Sequence, residues 1–143
     1  MTPRVSLDAN ILFSAAYRSD SRLRVFFELA AAGRVTLATS RFAQEEARRN
    51  LAAKRPAALA DLVALLAAVE TVREGGPSEV AAASVLPDKD APILAAAIAA
   101  RCDWLITGDA QHFGSLFGRR VGGVRVGTAV EALRAVLAID PSA

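Results

Sequence analysis

Apolar and polar positions change period several times along the chain, and each change marks an element. Arg4 to Leu7 (RVSL) is a short apolar run behind Pro3 and predicts a first strand; from Asn10 the pattern suits a helix. Leu23, Phe26, Phe27 and Ala30 share one face of a helix that Asp20 or Ser21 can cap and that Gly33 closes after Ala32. Arg34 to Ala38 (RVTLA) predicts a second strand. Ser40 then opens a helix carrying Phe42, Glu46 and Leu51, and Pro56 starts another in the alanine- and leucine-rich stretch ending near Val69, so the two predict a helical hairpin. Glu70 to Arg73 reads as a short strand, Gly75-Gly76-Pro77 as a turn, and a short helix follows from Ser78. Asp88 or Asp90 caps an alanine-rich helix ending near Arg101, and Asp103 to Thr107 (DWLIT) is a further strand. A short helical segment carries His112 and Phe113, Val124 to Val126 forms a last strand, and Thr128 caps a helix reaching about Leu137.

Strands alternating with helices predict a mostly parallel, doubly wound sheet with helices on both faces, a three-layer α/β/α architecture. In such a sheet Asp8 and Asp109 both follow strands, so both stand at the edge where α/β proteins place their ligands. Asp88 and Asp90 precede a helix start near that same edge. Each acid alone can be an N-cap, and Glu45 and Glu46 can be solvated helix positions. Four acids gathered at one edge are another matter, because like charges repel and at least one is driven to keep its proton. A hard divalent cation, Mg²⁺ or Mn²⁺, resolves that conflict, since such ions prefer oxygen ligands and keep waters for reaction.

Composition narrows the classes. A chain of 143 residues has the length of a single domain, here 1–143, able to bury one core. Hydrophobic residues make up 53% of it and mean hydropathy is +0.31, but the excess is alanine in periodic segments and no apolar run has membrane-spanning length. No membrane association is expected, and the start of the chain carries no basic, apolar leader, which predicts a cytoplasmic protein. Cys102 is the one cysteine and reads as a buried structural thiol. His112, the one histidine, has no second histidine or cysteine at ligand spacing, so zinc is disfavoured and a surface or packing role is expected. The phosphate-cradling glycine motifs and the nucleophilic serine elbow are missing. Charge is uneven: residues 1–55 hold ten Lys/Arg against five Asp/Glu, which suits either solvated helix faces or a phosphate-tracking surface.

The stretches LDANIL, SRFAQEEARRNL, PDKDAPILAAAIAARCDWLITGD and VRVGTAVEAL together resemble the PIN-domain family, most closely the PIN-type toxins of bacterial toxin–antitoxin pairs. The resemblance runs over nearly the whole chain, and its most specific part is the spacing from Asp90 to the Thr107-Gly108-Asp109 turn. It implies a five-stranded parallel sheet and an endoribonuclease dependent on Mg²⁺ or Mn²⁺. Position by position, it assigns Asp8, Asp90 and Asp109 as metal ligands, with Glu46, six residues after Ser40, as the fourth acid and Glu45 as its less favoured twin. Asp88 is an auxiliary acid, and Asn10 and Thr107 would orient Asp8 and Asp109 by hydrogen bonding. Ala9 departs from the threonine that many relatives carry there. The implied partners are RNA, an antitoxin protein and a second copy in a homodimer. The second copy and the antitoxin would sit in a basic-rimmed groove formed by the helices over 20–32 and 40–69, where Phe26, Phe27, Leu59, Leu62, Leu65 and Leu66 supply apolar surface, and RNA would use the basic rim.

Two other functions compete. A PIN-like module could bind RNA or protein without cutting, although keeping all four acids argues against it. A small-molecule phosphohydrolase also needs clustered acids and Mg²⁺, but Asp8-Ala9-Asn10 lacks the second aspartate of the common nucleophile motif.

Overall fold

The computed structural model describes residues 2–138. Its strands are β1 (Arg4–Leu7), β2 (Thr36–Ser40), β3 (Val69–Val72), β4 (Trp104–Ile106), β5 (Arg120–Val121) and β6 (Val124–Gly127). Its α-helices are α1 (Ala9–Tyr17), α2 (Val25–Ala31), α3 (Arg41–Lys54), α4 (Leu59–Leu66), α5 (Pro77–Ala82), α6 (Ala91–Ala99), α7 (Ala110–Phe113) and α8 (Ala129–Leu137). The sheet order is β3-β2-β1-β4-β6-β5, parallel throughout except for the β5–β6 pair. This is the expected three-layer α/β/α arrangement, with six strands in place of five.

The extra strand has a local cause. Val121 pairs with Val124, so Gly122-Gly123 is a two-residue hairpin loop, with φ of +57° and +86°. Both positions require the left-handed region, which glycine enters without a Cβ penalty. The chain therefore folds back antiparallel and covers β6.

Several boundaries move for equally local reasons. The helix expected from residue 20 or 21 begins as a 3₁₀ turn (Arg22–Arg24) under the Ser21 hydroxyl, while Asp20 instead pairs with Arg18. Arg34 N–H still bonds Leu29 O across the Gly33 turn, which delays the second strand to Thr36. The fourth helix stops at Leu66, and Val69 already belongs to β3. The α3 start is as expected: the Ser40 hydroxyl accepts from Ala43 N–H at 3.0 Å.

The buried side chains form one cluster that includes Leu7, Leu12, Phe26, Leu37, Leu51, Leu62, Ile93, Leu94, Leu105, Ile106 and Phe113. Burying each such side chain is worth about 1.5–3 kcal/mol. Phe26, Phe27 and Leu62 are thus core residues, and Leu59, Leu65 and Leu66 are partly buried against that core. The expectation that these six line an open groove is corrected for the first three, because the sheet and α1 consume their surface. In α6 six of the nine residues are buried, and its alanines permit close approach: a Cβ on Gly75 would lie 2.8 Å from Ala95.

Topology places the functional edge. From β1 the chain winds outward through β2 and β3, then returns to lay β4 on the other side of β1. The crevice where the winding reverses lies past the C-terminal ends of β1 and β4, where open α/β sheets bind ligands.

Candidate active site

Asp8 leaves β1 and enters that crevice as the N-cap of α1. Its Oδ1 accepts from Ala9 N–H at 2.7 Å, and its Oδ2 accepts from the Thr107 hydroxyl at 2.6 Å and the Asn10 amide at 3.3 Å. Thr107, fully buried after β4, also accepts from Asn10 Nδ2 at 3.2 Å and from Asp109 N–H at 3.0 Å. Asn10 Oδ1 takes Gly108 N–H at 2.9 Å. One hydrogen-bonded net therefore ties the ends of two adjacent strands together and fixes the orientation of Asp8, where the resemblance implied a supporting role for Asn10 and Thr107.

A cleft of about 220 Å³ opens over this net, lined by Asp8, Asn10, Phe13, Glu46, Asn50, Lys54, Lys89, Asp90 and Asp109 among others. Four of the acids named from sequence, from four separate elements, are thus brought together. Glu46 is half-buried on the cleft side of α3, whereas Glu45 is exposed and pairs with Arg48 at 3.0 Å. Asp88 is exposed on the turn before α6 and is absent from the cleft lining.

Capping explains some of these acids and not others. Asp109 caps α7, its Oδ1 accepting from His112 N–H at 3.1 Å. Asp90 stands at the N-cap of α6 but its side chain caps nothing. It is 8% exposed, and its Oδ2 is buried with no hydrogen-bond donor among the described residues. His112 Nδ1 lies 3.2 Å from that oxygen but 2.8 Å from Asp109 Oδ2. A ring nitrogen carries one hydrogen, and the closer contact takes it. His112 therefore stands beside the acids, a placement that sequence reasoning missed. The available signal was its spacing: Asp109 and His112 are three residues apart, so one helical turn puts them on the same side.

The electrostatics follow the burial. Burial pushes Asp8 up to about 6, aided by Glu46 and Asp90 and opposed by the hydrogen bonds from Thr107 and Ala9. Burial also raises Asp90, helped by Asp109 and offset by His112 and Lys89. At Asp109 burial works in the same direction, but the hydrogen bonds and charge of His112 outweigh it and hold the carboxyl below its ordinary value. Two neighbouring acids are thus destabilised as anions while a third is held ionised, the pattern of a site short of positive charge. Far from the cleft, Cys102 is buried and its thiol is pushed up to about 11 by burial, in keeping with a structural role.

The donor set suits a hard divalent cation. Asp90 Oδ2 is a buried acceptor without a donor among the described residues, burial and the neighbouring acids raise Asp8, and the other acids of the cleft offer carboxylate oxygens.

A PIN domain model matches residues 4–111. The chain belongs to the PIN-domain family. Members of that family are generally nucleases. No curated protein matches the chain in sequence. Among solved structures, the chain is similar to the crystal structure of VapBC2 from Rickettsia felis bound to a DNA fragment from their promoter. Identity there is 17% and the TM-score 0.64, with 87% of this chain and 98% of the other covered. At that identity the likeness is one of fold. No helix among the described residues is long and apolar enough to cross a membrane.

Proposed function

We propose that this PIN domain is a Mg²⁺- or Mn²⁺-dependent endoribonuclease, the toxin of a toxin–antitoxin pair, in which Asp8, Asp90, Asp109 and Glu46 form the metal-binding and catalytic site. The observation that carries this reading is the orphaned, buried Oδ2 of Asp90 in a cleft that three further acids share. A bound divalent ion would supply a nucleophilic water at neutral pH and stabilise the departing 3′ oxygen.

The chain's own residues do the rest. Thr107 and Asn10 hold Asp8 at a fixed angle, so the carboxylate does not reorganise when substrate arrives. Glu46 faces the cleft from α3 and is placed to accept a proton through a carboxylate oxygen as water attacks phosphorus. The P–O3′ bond breaks as the new P–O bond forms, leaving 5′-phosphate and 3′-hydroxyl ends. Lys54 and Lys89 line the same cleft and supply cations for the flanking phosphates. Lys54 Nζ lies 5.5 Å over the Phe13 ring, a cation–π contact that holds the ammonium against the cleft wall.

A module that only binds has no use for a buried carboxylate oxygen without a donor, whereas a metal site does. An antitoxin partner accords with the toxin-type resemblance and with the VapBC2 fold likeness, and a homodimer with the resemblance. The test is Asp90→Asn in the purified chain. It should keep the circular-dichroism spectrum and lose cleavage of a labelled RNA by at least a hundredfold. Undiminished cleavage would remove Asp90 from the reaction and this reading with it.

A further inference from the structure

His112 is not required by the carboxylate site just described, yet it stands inside it. One ligand atom from each of Asp90, Asp109 and His112 lies within 4.8 Å of the other two. His112 Nδ1 sits 2.8 Å from Asp109 Oδ2 and 3.2 Å from Asp90 Oδ2. Neighbouring ligands on an octahedral ion with metal–ligand bonds near 2.0–2.1 Å are about 2.9 Å apart. The two separations are therefore those of a nitrogen and two oxygens able to share one cation. Asp90 Oδ2, buried and without a donor, supplies independent reason to place a cation there. Asp109 and His112 are also locked to one another, because His112 N–H bonds Asp109 Oδ1 at 3.1 Å. That short turn holds both ligands in register.

We propose that His112 is a protein ligand of the divalent ion, through Nδ1, and that it biases the site toward a transition-metal ion such as Mn²⁺ over Mg²⁺. The proposal rests on the divalent-ion reading above and adds the identity of the ion. Both ions prefer oxygen, but the difference is one of degree: Mg²⁺ is a hard ion that gains little from an imidazole, whereas Mn²⁺, at the weak end of the first-row transition series, accepts one nitrogen among carboxylate oxygens. Without an ion, Nδ1 carries its hydrogen toward Asp109; with one, the hydrogen moves to Nε2 and the Nδ1 lone pair faces the ion.

The test is calorimetric titration of MnCl₂ and of MgCl₂ into the full chain and into His112→Gln, with pulsed electron paramagnetic resonance of the Mn²⁺-loaded wild type. His112→Gln should lower Mn²⁺ affinity at least tenfold and change Mg²⁺ affinity less than threefold. The wild-type Mn²⁺ signal should show modulation from a directly bound imidazole nitrogen, which the variant lacks. An equal loss for both ions, or a wild-type spectrum without nitrogen coupling, makes His112 a mere prop for Asp109 and overturns the proposal. A wild type that binds neither ion overturns the divalent-ion reading itself, and a poorly folded variant leaves the wild-type spectrum as the deciding result.

Discussion

Replacing Asp8 by asparagine should make the metal-free protein more stable at pH 8, although the residue is buried and hydrogen-bonded. The Asp8 carboxyl titrates at about 6 in the folded chain against an ordinary 3.8. A raised folded value means that the native state binds the proton more tightly than the unfolded state. The stability that this group contributes is therefore fullest below pH ~4 and is lost as pH rises through ~6, by about 3 kcal/mol. Asparagine escapes that loss. It also forfeits something, because the Thr107 hydroxyl already accepts from Asn10 and Asp109 and needs the Asp8 oxygen for its own proton. One missing hydrogen bond costs about 1 kcal/mol, leaving a net gain near 2 kcal/mol at pH 8. For a chain of this size that is a rise of roughly 6–10 °C in Tm. The assay is urea unfolding followed by circular dichroism in EDTA, at pH 4 and pH 8. The advantage of Asp8→Asn should vanish or reverse at pH 4. With Mg²⁺ at a hundred times its Kd the wild type should gain about 2.7 kcal/mol and the variant far less. A variant less stable than wild type at pH 8 in EDTA, or a difference independent of pH, would refute the reasoning that Asp8 is strained for want of a cation.

Other outcomes follow from the same geometry. Thr107→Val removes the hydroxyl that joins Asp8, Asn10 and Asp109, and should weaken Mn²⁺ binding about tenfold to a hundredfold in calorimetry. Lys54→Gln with Lys89→Gln should lower RNA affinity in fluorescence anisotropy and flatten the slope of log affinity against log salt by about 1.4, while the exposed pair Arg48→Glu with Arg49→Glu should matter less because Arg48 is already engaged by Glu45. Phe113→Ala, at a fully buried position just after the site, should cost about 3–5 kcal/mol in urea unfolding and should lower the midpoint of the whole protein, since Phe113 belongs to the continuous core.

Local grammar made much of the fold legible. Pro3 and Asp8 bracket β1, Ser40 announces α3, and Thr128 with Glu131 forms the capping box that starts α8. The convergence of Asp8 and Asp109 followed from parallel topology alone, because both residues end neighbouring strands. What escaped depends on contacts that sequence spacing does not encode. Phe26 and Phe27 read as surplus apolar surface until the packing of the helices over the sheet buries them. The β5–β6 hairpin was written in Val121-Gly122-Gly123-Val124, but β5 is only two residues long, so Val124 to Val126 reads as a strand and its partner does not. Asp88 and Asp90 are two residues apart, yet the tight turn before α6 leaves one on the surface and buries the other. His112 was judged against histidine and cysteine partners, whereas its neighbours are carboxylates, one of them distant in sequence.

The most direct measurement of the central claim is cleavage of an end-labelled RNA by the purified wild-type chain, with MgCl₂ or MnCl₂ and again after EDTA, followed by analysis of the product ends. The account predicts cleavage that EDTA abolishes and added divalent ion restores, with 5′-phosphate and 3′-hydroxyl products. Cleavage that persists in EDTA, or products ending in a 2′,3′-cyclic phosphate, would contradict it, because the four acids would then be neither holding an ion nor directing water at the phosphodiester.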